Sequence, residues 1–453
     1  MHPSEYIKES MEYRFIREHI KEDVRKLALQ THGMKDMNYP FAIRQISGYQ
    51  HIVNKIPDWY ACPDILFPPT LSLEQCSSQQ TACYKRDLMK TIIRKQKQEQ
   101  TISGAGSAET VFLSGDGKES KFRQAGGAES TGADLTGAES TGAESSGADL
   151  TGGFGVDAYY LSEVFDRFFY VEKQPELCRI ASHNFKALNR PGIQVFENES
   201  EEFLQQSGKL DFVYLDPSRR NRDGNKVTAL RDCSPDPATL YEDLIKKAGL
   251  VLIKLSPMID LSLALKALPH TRQIHVVALD NDCKEVLFLL DAKYQTAEPE
   301  ITAVNLKNNA ADQVLKFRRS DEANASCVYT AQVGDYLYEP NVSLLKAGAF
   351  IMPAQAYGLE KLHKNTHLYT SNKFKSDFPG KIFEVKTISS AKTKDFHKKL
   401  PGLQQANLVV RNVPMSVEAL RKKLNLKEGG EDFVFACTLA DESKVFLYGK
   451  RLL

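Results

Sequence analysis

Apolar positions recur at two different periods along the chain, and the change of period divides it. From Tyr6 to about Gln98 they fall near helical spacing, as in Phe15, Ile16, Ile20, Val24 and Leu27. Pro40, Pro57, Pro63, Pro68 and Pro69 break that stretch into short helices. After the proline pair, Thr70 to Ser72 can cap a helix that runs on through Thr81, Tyr84, Leu88 and Ile92. From residue 147 to about 294, short apolar runs alternate with helical patterns. Strands are expected into Asp149 and over 168–172, 193–196, 212–215, 251–255, 274–279 and 285–290, with helices over 157–166, 175–188, 201–206, 237–247 and 260–267. Such repeated strand–helix units predict an α/β domain whose mostly parallel sheet is covered on both faces. Its last two strands read as an antiparallel hairpin on the sheet edge. Beyond residue 311 a smaller α+β region follows, with strands over 381–388, 405–411, 432–439 and 444–449 and helices over 394–399 and 416–425.

Residues 101 to 148 interrupt this order. Large apolar side chains nearly vanish, and from Gly127 the sequence becomes five pentads, GAEST, GADLT, GAEST, GAESS and GADLT. A segment this poor in apolar surface cannot bury enough to fold, and the unit is too short to build a stacked solenoid, so a flexible insertion is expected. The fifth pentad, Gly147 to Thr151, runs into Gly152-Gly153-Phe154-Gly155-Val156-Asp157 and then a helical pattern, whereas the second, Asp134 to Gly137, runs into another repeat. Only the fifth is therefore read as a working loop, and Asp134 to Gly137 as a decoy.

Composition narrows the function classes. The 453 residues hold 59 Lys and Arg against 58 Asp and Glu, with 42% apolar and 26% charged positions. That is ordinary globular composition, and it excludes both wholesale disorder and a uniformly basic coat. The balance hides an asymmetry, because residues 338–453 carry 19 Lys and Arg against 11 Asp and Glu. No apolar run is long enough to span a bilayer, and no basic start with an apolar core marks an export signal, so a cytosolic, non-membrane protein is expected. The eight cysteines are scattered singly, without metal-site spacing. His363 and His367 could flank a metal at i, i+4 on a helix, but no third ligand is evident and no metal is expected.

The chemistry gathers at strand ends. Gly152, Gly153 and Gly155, in a turn between a strand and a helix, let backbone N–H groups approach a ligand closely. The spacing matches neither G-x-G-x-x-G nor a P-loop, which disfavours a nucleoside triphosphate. Glu172 closes the second strand, 23 positions after Asp149, where its carboxylate would face ribose hydroxyls. The run Asp211 to Arg220 carries a buried strand into Asp216-Pro217-Ser218-Arg219-Arg220 at the mouth of the same sheet. Arg219 and Arg220 could fork onto a phosphate or carboxylate, or simply form loop ion pairs. Lys254, in an otherwise apolar strand, needs a partner or the cleft, and with Ser256 and Asp260 it is read as a site wall.

This constellation resembles a class I S-adenosylmethionine-dependent methyltransferase: an acidic residue entering a Gly-rich loop, an acidic second strand end, and Asp-Pro after the fourth strand. The resemblance implies that Asp149, Thr151, Gly152, Gly153, Gly155, Glu172 and Glu199 bind S-adenosyl-L-methionine, Glu199 at the adenine. It further implies that Asp216, Pro217 and Ser218 form the catalytic edge, beside which Arg219, Arg220 and Lys254 are read, from their own chemistry, as substrate contacts. Ser218 and Arg219 stand where amino-methylating relatives have a second proline and a stacking ring, and no cysteine follows the fifth strand as uracil-5 methyltransferases require.

A closer resemblance is to the bacterial branch of these enzymes with a C-terminal THUMP-like domain. It rests on Glu74 to Ser78, Thr81-Ala82 with Tyr84-Lys85, Asp149 to Asp157, Asp216 to Arg220, Lys254-Leu255-Ser256-Pro257, Glu339-Pro340-Asn341 and Val410-Arg411-Asn412 with Pro414. The implied organisation is a helical domain (1–98), the repeat insertion (99–146), a Rossmann-like methyltransferase domain (147–310), a ferredoxin-like segment (311–380) and a THUMP-like domain (381–453). The helix from Ser77 to Lys85 would pack over the methyl donor. RNA is the implied substrate and partner, and Lys386, Lys392, Lys394, Lys398, Lys399, Arg411, Arg421, Lys422 and Lys423 could supply phosphate contacts. The same core acting on a protein or small molecule, or a non-catalytic RNA-binding protein, are the alternatives.

Overall fold

The computed structural model describes residues 10–29, 37–105, 144–219, 230–294 and 298–452. Its centre is a nine-stranded sheet. In chain order the strands are β1 (Ser146–Asp149), β2 (Arg167–Glu172), β3 (Ile193–Glu197), β4 (Leu210–Leu215), β5 (Ala248–Leu255), β6 (Thr271–Leu279), β7 (Asp282–Asp291), β8 (Glu300–Leu306) and β9 (Gln313–Phe317). Across the sheet they lie in the order β3-β2-β1-β4-β5-β7-β6-β8-β9. The first five pair in parallel, and β7 runs antiparallel between β5 and β6.

The strand–helix alternation is therefore reproduced, and so is the antiparallel hairpin. Two further strands extend the sheet past it, β8 parallel to β6 and β9 antiparallel to β8. The hairpin thus lies inside the sheet rather than on its edge, and the layer reaches beyond residue 310. β8 is buried at every position but its first and so shows no period-two alternation, and β9 has only five residues.

Period-two alternation sorts the strand side chains between two cores. Val251, Ile253 and Leu255 of β5 face Leu240, Leu244 and Ala264 from the helices Pro237–Lys247 and Leu261–Ala267. Leu250 and Leu252 face the opposite way, toward Met89, Ala158 and Ala181. Those three come from the helices Gln79–Ala105, Val156–Leu161 and Pro175–Ala187. The N-terminal helices keep no core to themselves. Trp59, Phe67 and Tyr49 share one with Phe154, Val156 and Ile180, and the Trp59 ring meets the Phe154 ring edge-on at 4.9 Å. Helical sequence upstream of the repeats is thereby fixed directly to the glycine loop.

The C-terminal region forms a second, seven-stranded sheet, antiparallel except between Asn407–Arg411 and Asp432–Thr438. The helices Thr393–Lys399 and Val417–Leu424 bury Phe396, Leu420 and Leu424 against it and present their basic residues outward. The helix Val342–Ala347 packs Leu344 and Ala347 into the core of the large sheet, and Lys346 Nζ donates to the Ile259 carbonyl at 2.6 Å. The helix Gln79–Ala105 runs into the stretch expected as insertion, and the decoy Asp134 to Gly137 lies outside the described residues.

Candidate active site

The glycine turn is built by what surrounds it. Gly153 and Gly155 have φ of +53° and +94°, a left-handed region in which a Cβ is strained. The Gly155 N–H closes the turn on the Gly152 carbonyl at 2.8 Å, and the Gly152 N–H bonds the Val171 carbonyl at 2.9 Å. A Cβ on Gly152 would overlap the Tyr170 ring, whose hydroxyl donates to the Gly153 carbonyl at 2.6 Å. A Cβ on Gly153 would instead meet open space, apart from the Thr151 carbonyl at 3.8 Å.

Glu172 ends β2 with both oxygens engaged. Oε2 accepts from the Gly153 N–H and Oε1 from the Gln174 N–H, each at 3.0 Å. Asp149, 1% exposed, accepts from the Thr151 N–H at 3.0 Å. Burial pushes its carboxyl well above the ordinary range, and the Thr151 bond only partly offsets this. The Thr151 hydroxyl accepts from the Asp216 N–H at 2.6 Å, which ties the end of β4 to the loop.

All these groups line one cavity of about 990 Å³: Asp149, Thr151, Gly152, Gly153, Gly155, Glu172, Glu199, Asp216, Pro217, Ser218 and Lys254. Glu199 stands at its exposed rim, 3.6 Å from Lys173, as the residue before the helix Ser200–Gln206. Ser218 is exposed, and its hydroxyl donates to the Ser234 carbonyl at 3.1 Å. Arg219 is described through its backbone, which pairs with Cys233, and Arg220 falls outside the described residues. Ser256 lines the cavity, but Asp260 does not. Asp260 caps the helix Leu261–Ala267 by accepting from the Ser262 and Leu263 N–H groups at 2.7 and 3.0 Å. His363 and His367 lie between short strands, not on a helix. His363 pairs with Glu442 at 3.1 Å and the His367 ring stacks on Phe350. No cluster of potential metal ligands occurs among the described residues.

The cavity floor holds an ionic network that the sequence reading did not assemble. Lys254 pairs with Asp216, which opens onto the cavity, and lies 3.8 Å from Asp157. The fully buried Lys85 lies 3.1 Å from Asp157 and 2.9 Å from Glu285. Ser77 donates to Asp157 at 2.7 Å, and Tyr214 does so at 2.8 Å. Burial pushes Asp216 up, with Lys254 opposing it. Burial would raise Asp157 too, but Lys85 and Lys254 outweigh it and hold the group below the ordinary value. Glu285, bonded to Lys85, is left raised by its burial, which Lys85 and Lys254 only partly offset. Asp157 wins the contest because it stands between both ammonium groups. Lys254 remains charged, since its carboxylate partners overcome the opposing effect of burial. The helix expected to run on from Thr70 is broken into Thr70–Gln75 and Gln79–Ala105, and Ser77 and Ser78 from the break join Gln80 and Thr81 on the cavity wall.

A crystal structure of a candidate methyltransferase from Porphyromonas gingivalis W83 matches 98% of this chain over 98% of its own, at 28% identity and a TM-score of 0.77. Residues 336–379 match a ferredoxin-like domain model, and residues 380–450 match a THUMP domain-like model. The chain has a methyltransferase fold with a THUMP-like domain at its end. In this methyltransferase-fold chain the cavity lies at the carboxyl ends of β1, β2, β4 and β5, where open α/β sheets bind ligands. More distant likenesses include a Streptococcus mutans methyltransferase candidate solved in complex with SAH (12% identity, 32% of this chain, 88% of that one, TM-score 0.26). An rRNA methylase from Streptococcus thermophilus aligns at 13% identity over 33% of this chain and 87% of that one, also at a TM-score of 0.26. No curated protein matches the chain. No described helix is long and apolar enough to cross a membrane.

Proposed function

We propose that the chain transfers a methyl group from S-adenosylmethionine to RNA, with the THUMP-like domain holding the RNA. The observation that carries this reading is the 3.0 Å bond between the Gly153 N–H and Glu172 on the wall of the cavity that also holds Asp149 and Asp216. A cavity of about 990 Å³ falls at the upper end of the ~300–1,000 Å³ common for small-molecule sites. The open space beyond Gly153 admits a ligand against bare backbone. Asp149, Asp157, Asp216 and Glu285 line the inner wall with Lys254, so that wall carries more carboxyl groups than ammonium groups and suits a cationic ligand.

When bound, S-adenosylmethionine supplies an electrophilic methyl on a sulfonium centre. Glu172 keeps free lone pairs for ribose hydroxyls while its other lone pairs hold the loop amides. Asp149 accepts from the cationic amino-acid end, and Glu199 closes the rim at the base. Asp216, held by Lys254 and by its N–H bond to Thr151, faces the attacking atom and accepts a hydrogen bond or proton from it. Pro217 and Ser218 continue that edge, so the fold contributes chiefly alignment of nucleophile, methyl and sulfur.

RNA is favoured by the THUMP-like domain and by the outward-facing cations of the two C-terminal helices. Lys394, Lys398 and Lys422 have no ion-pair partner among the described residues, whereas Arg411 is bonded to Glu339 at 2.6 Å. Incubating the protein with methyl-labelled S-adenosylmethionine and extracts of a strain lacking it tests the reading. Label entering RNA is expected. Label entering protein alone would move the substrate class, and no labelling of any fraction would remove the reading.

A further inference from the structure

Two lysines share the carboxylates at the cavity floor, and only one of them reaches the cavity. Lys254 pairs with Asp216, whereas Lys85 is 0% exposed and comes from the N-terminal helix Gln79–Ala105. Burying an ammonium group is strongly unfavourable unless charges and hydrogen bonds surround it, and here they do. Lys85 Nζ is bonded to both oxygens of Glu285, at 2.9 and 3.0 Å, and to Ser77 Oγ at 3.1 Å, with Asp157 Oδ1 also at 3.1 Å. Asp157 joins the two lysines, since its other oxygen lies 3.8 Å from Lys254 Nζ. The Ser77 hydroxyl spans the same gap, 3.1 Å from Lys85 and 3.2 Å from Lys254. Lys254 therefore has two carboxylates within reach and stands closer to Asp216 than to Asp157.

We infer that Lys85 is a positioning residue: by neutralising Asp157 it leaves Lys254 free to pair with Asp216 at the reacting end of the cleft. The inference rests on the proposed role of Asp216 and makes the N-terminal helices part of the working site. Without Lys85, one ammonium group would have to serve both Asp157 and Asp216, and the tighter-bound Asp157, which also accepts from Ser77 and Tyr214, would draw it away. Asp216 would then lose the charge that opposes its burial. The groups acting on Asp216 are Lys254 from β5, Asp157 from the helix Val156–Leu161, Asp149 from β1, Tyr214 from β4 and, at longer range, Lys85. Glu285 of β7 reaches it through the two lysines.

The test is an NMR titration of aspartate carboxyl carbons in the full chain, with the Asp216 signal assigned by its loss in Asp216→Asn. Lys85→Met alone would strand two buried carboxylates, so Lys85→Met/Glu285→Gln removes one charge of each sign. In that variant the Asp216 midpoint is expected to rise by about one pH unit or more, the size of effect a departing neighbouring charge produces. A merely structural role would loosen the floor, admit water and lower the midpoint, because burial is what raises it. An unchanged or lower midpoint therefore overturns the inference. Adding Asp157→Asn should abolish the rise, since Lys254 then has no competitor, and a rise that persists in full would mean that Lys85 does not act through Asp157. The titration needs neither cofactor nor RNA. Absent methyl transfer by the unaltered protein would remove the functional reading and leave this measurement as it stands.

Discussion

Glu172→Gln probes the contact on which the cofactor assignment depends. The carboxylate lines the cavity and accepts from the Gly153 and Gln174 N–H groups at 3.0 Å each. A glutamine keeps one acceptor oxygen, but its NH₂ must then point at one of the two N–H donors or turn away. At least one hydrogen bond to a charged group is lost, an effect of about 1.5–3 kcal/mol, and a ribose hydroxyl loses a charged acceptor of the same kind. If one such bond is missing from the bound state, affinity for S-adenosylhomocysteine should fall roughly 10- to 100-fold. Isothermal titration calorimetry on both proteins measures it. Glu199→Gln is the internal control: Glu199 lies at the exposed rim, 3.6 Å from Lys173, where an ion pair contributes little, so the loss there should be far smaller. Glu172→Gln binding within twofold of the unaltered protein, or a greater loss at Glu199 than at Glu172, would refute the assignment.

The other expectations concern stability and RNA. Gly152→Ala forces a methyl into the Tyr170 ring, and overpacking of that kind costs about 1–3 kcal/mol, which thermal melting should show as a lowered Tm. Asp149→Asn keeps an acceptor for Thr151 but removes a carboxylate whose pKa is raised by burial. A raised group favours the fold below its unfolded value near 3.8 and loses that contribution as pH rises through its folded value. The variant's Tm should therefore gain on the unaltered protein as pH rises from 4 toward neutrality, even as cofactor binding is lost, and parallel curves would contradict this. Replacing Lys394, Lys398 and Lys422 with glutamate should weaken RNA binding in filter assays and flatten its dependence on salt, leaving S-adenosylhomocysteine affinity unchanged.

The glycine-loop side of the cavity was legible because its residues are local in sequence. The glycine turn and the acidic strand ends each announce themselves within a few residues, and β1 to β7 place them together as the strand–helix alternation predicts. The ionic floor was harder to see. Lys85 and Glu285 are 200 positions apart, and each stands beside other charged residues, Arg86 and Asp87 in one case and Asp282 and Lys284 in the other, so neither marks itself out. The available signal was the face each occupies: Lys85 lies on the helix face of Ala82 and Met89, and Glu285 begins the buried run of β7, so each needed a partner of opposite sign. Strands β8 and β9 escaped because β8, buried on both faces, shows no alternation, β9 is only five residues long, and their pairing is set by the sheet they join. Asp260 shows the converse error. An acidic residue soon after a cleft strand was read as site wall, while Asp-Leu-Ser is equally a helix N-cap, which is its place here.

A crystal structure of the protein with S-adenosylhomocysteine would show whether the cavity takes the cofactor. Ligand density is expected inside the described cavity, with the ribose hydroxyls on Glu172, the amino-acid end at Asp149 and the sulfur directed toward Asp216. Density elsewhere on the molecule, or none at saturating ligand in crystals that leave the cavity open, would contradict this expectation.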